Sequence, residues 1–186
     1  MQRLLLGSIL LSVTGVLFAN QAAMVLQQQL QTLKTFQASF RQTMRQGQRQ
    51  IKQTGMVAIE KPGKFRWQVI QPHPQLYVSN GHTVWHYDKA LRQVTVRQLS
   101  KGLSETPIML LTAAEPLSKL YHIHSSGSGQ FVLIPKQLGS VMKSITLRFT
   151  HHQLASMSLQ NSLNQITKIQ FYHIRYNQKI APNTFT

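Results

Sequence analysis

Between Glu60 and Asp88, apolar and aromatic residues recur at every second position, in runs cut by residues that turn a chain. After Pro62-Gly63, Phe65, Trp67 and Val69 alternate with Arg66 and Gln68, until Pro72 and Pro74 end the run. Tyr77-Val78 and Val84-Trp85-His86-Tyr87 then flank Asn80-Gly81. A period of two is that of a half-buried strand, and Asn-Gly between two such runs signals a tight hairpin. Short strands in this arrangement specify an antiparallel meander, each strand beside its neighbour in sequence.

The same period extends in both directions. Upstream, Phe36, Ala38, Phe40 and Met44 alternate with Gln37, Ser39, Arg41 and Thr43. A polar turn is expected over 46–50, around Gly47. Beyond it Gly55, Val57 and Ile59 share one face of a strand, with Met56 and Ala58 on the other. Downstream, Asp88-Lys89 turns the chain into a strand over 93–97. Residues 121–124, 131–134, 145–149, 154–159 and 166–174 resume the pattern, with a hairpin loop at 125–129. Two segments break it. Residues 22–35 read as an amphipathic helix, with Leu26, Leu30 and Leu33 on one face and Gln27, Gln28, Gln29 and Gln31 on the other. Thr106 as N-cap and Pro107 at the first helical position open a short helix containing Ile108, Met109, Leu110 and Leu111. Neither helix has enough apolar surface to be stable alone, so both must pack on one face of the sheet. The expected class is mainly β with α: one large, strongly curved antiparallel sheet with an N-terminal helix and a small central helix.

The N-terminus has the layout of a secretory signal. Met1-Gln2-Arg3 is cationic, residues 4–18 are apolar or small, and Ala19, with Ala22 as the alternative, offers a small-residue cleavage position. We expect a signal peptide over 1–19 and a single domain over 20–186. About 165 residues suit one hydrophobic core. The chain has no cysteine, so thiol chemistry, disulfides and cysteine-based metal sites are excluded. An exported chain without disulfides fits a bacterial periplasm better than an animal extracellular space. Against 20 Lys and Arg stand 4 carboxylates, Glu60, Asp88, Glu105 and Glu115. The cations are spread over nearly every segment and never form a run of five. A solvated basic surface is therefore favoured over a nucleic-acid arm.

Catalytic constellations are poor. The carboxylates are too far apart in sequence to suggest an acid/base dyad, and no Gly-x-Ser-x-Gly elbow is present. His86 with Asp88 is the one pair a hydrolase could use. His122 and His124 share a strand face and His151-His152 sit in a turn, without a carboxylate or cysteine nearby to complete a metal shell. No metal or cofactor is expected. The aromatic faces remain: Phe65 with Trp67, and Trp85 with Tyr87. Their pattern alone admits an ordinary core or a cavity for an apolar ligand.

A wider set of residues carries a resemblance. It comprises Phe36-x-Ala38-x-Phe40-x-Gln42, Lys61-Pro62-Gly63-Lys64-Phe65-Arg66-Trp67 and Val78-Ser79-Asn80-Gly81-x-x-Val84-Trp85-x-Tyr87-Asp88. Further along come Thr106-Pro107-Ile108-Met109-Leu110-Leu111, Phe131-x-Leu133-x-Pro135-Lys136 and Thr167-x-Ile169-x-Phe171. In this order and spacing the chain resembles the LolA family of periplasmic outer-membrane lipoprotein carriers, from Leu26 nearly to the C-terminus. The resemblance implies an incomplete β-barrel closed by helices acting as a lid, over an apolar cavity for acyl chains. It implies a monomeric, non-enzymatic periplasmic carrier of lipidated proteins, with a related half-barrel periplasmic domain that binds lipid or senses stress as the alternative. Its partners would be an inner-membrane lipoprotein-releasing ABC transporter and an outer-membrane acceptor lipoprotein, with no nucleic acid and no cofactor. The cavity and lid residues implied are Leu30, Phe36, Phe40, Phe65, Trp67, Trp85, Ile108 and Leu111. In the family an Arg before the barrel-strand Pro latches the lid helices through their carbonyls. Here that position is Lys61, a single point donor in place of a planar fork, so a looser closed state is expected. The family's acidic residue in the second-to-last hairpin is replaced by Asn161 or Ser162. Its Phe-rich final strand ending Pro-Pro-x-Gly has no counterpart up to Thr186.

Overall fold

The computed structural model describes residues 14–99, 108–112 and 115–186. Helix α1 (Thr14–Thr32) is followed by six strands, β1 (Thr35–Gln46), β2 (Arg49–Glu60), β3 (Lys64–Gln71), β4 (Gln75–Asn80), β5 (Thr83–Asp88) and β6 (Gln93–Gln98). A single helical turn, α2 (Met109–Thr112), and a 3-10 turn (Leu117–Lys119) lead into β7 (Tyr121–Ser125) and β8 (Gln130–Pro135). Strands β9 (Met142–Thr150), β10 (Gln153–Asn161) and β11 (Ile166–Tyr176) complete the sheet, and a 3-10 turn (Pro182–Phe185) ends the chain.

All eleven strands form one antiparallel sheet in the order β6-β5-β4-β3-β2-β1-β11-β10-β9-β8-β7. Two meanders, β1 to β6 and β7 to β11, meet along β1 and β11. Among the described residues, that seam is the one strand pairing between elements remote in sequence, and β6 and β7 are the edges of the sheet. The sheet curves without closing into a barrel. Ladder irregularities at Gln37/Ser39 opposite β11, Thr54/Gly55 opposite β3 and Leu154/Ser156 opposite β9 sharpen the bend.

Register fixes which residues share a face. Phe36, Ala38 and Phe40 stand opposite Ile59, Val57 and Gly55. Ile59 and Val57 in turn stand opposite Phe65 and Trp67. On the other side of the seam Phe40 meets Phe171, Gln42 meets Ile169, Met157 meets Leu147 and Leu133 meets Ile145. All of these except Gly55 and Gln42 belong to one apolar cluster on the concave face. Tyr176 closes the seam: its ring meets Phe36 edge-on at 5.4 Å and its hydroxyl accepts the Leu154 N–H of β10. Burial pushes that phenol up to about 12.

Three boundaries differ from the sequence reading. The helix ends at Thr32 and not at residue 35, because Thr35 is drawn into β1 opposite Glu60. Asn177, from beyond β11, caps this exit: its Oδ1 accepts the N–H groups of Lys34 and Thr35, and its Nδ2 donates to the Thr32 carbonyl. The expected turn over 46–50 shrinks to Gly47 and Gln48, as β1 and β2 pair through to Gln46 and Arg49. Helix α1 also extends back into the expected signal segment, as far as Thr14, where the described residues begin; residues 1–13 lie outside the described residues, as do the expected cap Thr106 and Pro107. The closing 3-10 turn, unforeseen in the sequence, packs against β3 and β4 and buries Phe185, with Ile180 buried just before it.

Candidate functional site

The concave face has two ends of different character. At the first, α1 lies against β7 and α2 against β2 and β3. Ala22, Leu26, Leu30 and Leu33 from the N-terminal segment, and Ile108, Leu110 and Leu111 from the central one, are buried against the sheet. Leu26, Leu33, Phe36, Ile59, Phe65, Ile108 and Leu111 are almost wholly removed from solvent. This end is filled by the protein's own side chains.

At its border Phe40 stacks on Trp67, ring centroids 3.8 Å apart and planes 18° off parallel. Gly55, between them in the sheet, makes this possible. A Cβ there would lie 2.0 Å from the Gln68 carbonyl oxygen and 2.6 Å from the Phe40 ring, distances no side chain tolerates.

Besides the Asn177 cap on α1, one loop ties both helical pieces to the sheet. Between β2 and β3, the Lys61 N–H donates to the Lys34 carbonyl at 2.9 Å and the Lys61 ammonium to the Leu30 carbonyl at 2.6 Å. The Gly63 N–H donates to the Thr112 carbonyl at the end of α2, at 3.2 Å. Three hydrogen bonds over three residues therefore hold the C-terminal end of α1, the residue pair after it, and α2. Burial pulls the Lys61 ammonium down from its ordinary 10.5 to about 8. Gly63 adopts a left-handed backbone (φ +70°), and a Cβ there would press on Gly81 and Leu99 at 2.9 and 3.0 Å, so this loop is fixed against the β4–β5 turn.

The second end is open. Between the two halves of the curved sheet lies a space of about 380 Å³. Met44, Trp67, Val69, Met142 and Leu159 form its apolar wall, and a ring of carboxamides, Gln42, Gln53, Gln75, Asn161 and Gln165, surrounds it. Gln42 donates to Gln53 at 2.9 Å and Asn161 to Gln165 at 3.0 Å. The volume lies within the range of ordinary ligand pockets. Nearby, His86 lies flat on Tyr77, 4.0 Å between ring centroids. Desolvation pulls its imidazole below the usual value, and Nε2 has no hydrogen-bond partner among the described residues. Asp88, the partner a hydrolase would need, is committed elsewhere. Its Oδ1 accepts the N–H groups of Ala90 and Leu91 and its Oδ2 the Gln75 amide, and these bonds hold the carboxyl below its ordinary range. Among the described residues, no group of three or more His, Asp or Glu could hold a metal ion.

The structure brings Leu30, Phe36, Phe40, Phe65, Trp67, Ile108 and Leu111 into one cluster and sets Lys61 at its rim. Trp85 is the exception. It pairs with Val78 and Val96, whereas Phe65 and Trp67 pair with Ser79 and Tyr77, so Trp85 stands on the outer face of the sheet. The β4–β5 hairpin sets this parity by matching Ser79 with Val84; Tyr77 and His86 are the aromatic side chains it turns inward. The carboxamide ring was also missed from the sequence. Isolated glutamines carry no signal until the pairing of Gln42 with Gln53 and the β10–β11 turn bring them together.

The sequence profile of the family described as outer membrane lipoprotein carrier protein LolA matches residues 31–186. Relatives named outer-membrane lipoprotein carrier protein include one from Hahella chejuensis, 37% identical over 164 residues, covering 84% of this chain and 78% of that one. Another, from Azotobacter vinelandii, is 34% identical over 190 residues, covering 98% and 91%. Among solved structures, a LolA superfamily protein from Nitrosomonas europaea superposes with a TM-score of 0.52 at 9% identity, over 89% of this chain and 97% of that one. That last likeness concerns the fold alone.

Proposed function

This chain belongs to the LolA family of outer membrane lipoprotein carrier proteins, and on that premise we propose that it is a periplasmic lipoprotein carrier in its helix-covered state. It takes lipoproteins from an inner-membrane ABC transporter, hides their acyl chains on the concave face and delivers them to an outer-membrane acceptor lipoprotein. One observation carries the reading. The leucines of α1 and α2 fill the covered end of the concave face, and polar ties hold those pieces to the sheet from two places, Lys61 and Gly63 in the β2–β3 loop and Asn177 after β11.

The energetics suit carriage. Burying acyl chains is worth roughly 0.8 kcal/mol per CH₂, so a diacyl anchor cannot cross water exposed. Leu26, Leu30, Leu33, Ile108 and Leu111 occupy the greasy volume when no cargo is present, and cargo exchanges with them. Opening breaks hydrogen bonds worth about 1 kcal/mol each net, and apolar burial is recovered on the incoming chains. Exchange of like for like lets such a carrier bind firmly and still let go. Lys61 acts as the latch, through one bond to Leu30 where a guanidinium could hold several carbonyls. The open space beside Trp67 is where an incoming chain first finds apolar wall. Nothing in this task requires an enzyme, and His86 and Asp88 are read as wall and turn residues.

The test uses inner-membrane vesicles carrying an active lipoprotein-releasing transporter and labelled lipoprotein, with an authentic carrier as control. Addition of the purified, lipid-free protein with ATP is expected to bring lipoprotein into the soluble fraction as a one-to-one complex. Release by the control but not by this protein would overturn the reading.

A further inference from the structure

Thr43, midway along the outer face of β1, is surrounded by four cations. Arg41 and Arg45 flank it two residues away on the same face of the same strand, and Lys52 of β2 and Lys168 of β11 stand directly opposite it on either side. In strand geometry that places the arginines about 7 Å from Thr43 along the strand and the lysines about 5 Å from it across the ladder. The surface here is recessed, with a volume of about 630 Å³, and Thr43, Arg45, Ser156, Ser158 and Lys168 contribute to its lining together with a fifth cation, Arg148 of β9.

No carboxylate among the described residues serves this cluster. Glu60 pairs with Lys64 at 2.7 Å, Glu115 pairs with Lys119, and Asp88 caps the turn after β5. Arg41 lies over the Tyr172 ring at 5.6 Å and Arg148 donates to Gln130. Both contacts orient a guanidinium without neutralising it. Like charges so close on one sheet face destabilise the free protein, and a bound anion would relieve that cost.

We propose that the outer wall around Thr43 is a docking site for an extended, carboxylate-rich protein segment. Acidic side chains at alternate positions of an extended peptide repeat at about 6.7 Å, the spacing at which Arg41, Thr43 and Arg45 succeed one another. Around them Thr54, Gln170, Ser156 and Ser158 offer hydroxyls and carboxamides to a peptide backbone. An anionic bilayer would meet the same charge, but Gln50, Thr54, Ser158 and Gln170 beside the cluster are polar, and the half-buried Ile166 and the Tyr172 ring under Arg41 add too little apolar surface to insert among acyl chains. The site also faces away from the concave space, because the residues alternating with this row on β1, Gln42 and Met44, line that space. A segment docked here leaves the open end free, so partner and cargo can be held at once.

The test is fluorescence anisotropy with the full chain and a labelled peptide of alternating Glu and Thr, about 12 residues long to match β1. Binding is expected at roughly 50 mM salt and should weaken steeply as salt rises. Lys52→Gln with Lys168→Gln should weaken it at least about tenfold. Lys89→Gln with Arg92→Gln removes the same charge from the β5–β6 turn and should change affinity less than about twofold. Equal losses in the two double variants would reduce the effect to net charge and overturn the site. So would absence of peptide binding, whether or not phosphatidylglycerol vesicles bind in its place. A urea melt of each variant guards against a folding defect, and Lys52→Gln with Lys168→Gln is expected to be at least as stable as the parent.

Discussion

The same strand, β1, serves both ends of the concave face and changes chemistry halfway along. Phe36, Ala38 and Phe40 are buried beneath α1 and α2, whereas Gln42 and Met44, next on the same face, border open space. On β2 the inward row runs Ile59, Val57, Gly55 and then Gln53. Dry packing therefore gives way to a ring of amides within one residue pair, and the Phe40–Trp67 stack marks the frontier. The helix-covered end is where stability is concentrated. The open end gives up burial to keep a space that water and ligand can enter.

Gly55→Ala attacks that frontier directly and should have the largest effect. With the Gln68 carbonyl 2.0 Å from the new Cβ, β2 and β3 cannot keep their register and Phe40 cannot lie across to Trp67. A loss above about 4 kcal/mol, or failure to fold, is expected; a urea midpoint near that of the parent would show that the stack is not what fixes the boundary. Leu26→Ala comes next, at about 3 kcal/mol, because its side chain is wholly enclosed. Met44→Ala at the open end, truncating a half-exposed chain, should cost less than about 1 kcal/mol. Equal costs for the two in chemical denaturation would erase the contrast between the ends. Gln42→Ala should be smaller again: it removes one 2.9 Å amide bond to Gln53 beside solvent, a change within about 1 kcal/mol.

How much of this could be read beforehand varies with the range of the interaction. The rows Phe36-Ala38-Phe40 and Phe65-Trp67-Val69 were legible because a period of two is written locally. The end of α1 was misplaced because Asn177, remote in sequence, supplies its cap. Trp85 was assigned to the wrong face because the pairing of Ser79 with Val84, not the aromatic pattern, decides which side chains point inward. The β1–β11 seam had no local signature, so the cations Lys52 and Lys168 could not be placed around Thr43 until register was known. Resemblance directed attention to Lys61; its bond to Leu30 came from the structure.

Lys61 gives the sharpest prediction, since it joins the covered end to the sheet by a titratable group. Its ammonium is pulled down from 10.5 to about 8 by burial in the closed fold, so the native state binds the proton more weakly than the unfolded chain does. Below about pH 8 both states are protonated and the cost of burying the charge is fully present. Between pH 8 and 10.5 the unfolded chain holds more protons, and stability gains with rising pH. Tyr176, whose proton the fold retains to about 12, works in the opposite direction above pH 10, but it does so equally in parent and variant. The difference in urea midpoint between the parent and Lys61→Leu should therefore be flat below pH 8 and shift in the parent's favour from there to about 10.5. Parallel curves across that window would mean the ammonium is solvated in solution and does not hold Leu30. The same variant should load lipoprotein as the parent does and slow its transfer to acceptor membranes; transfer at the parent's rate would take Lys61 out of the release step.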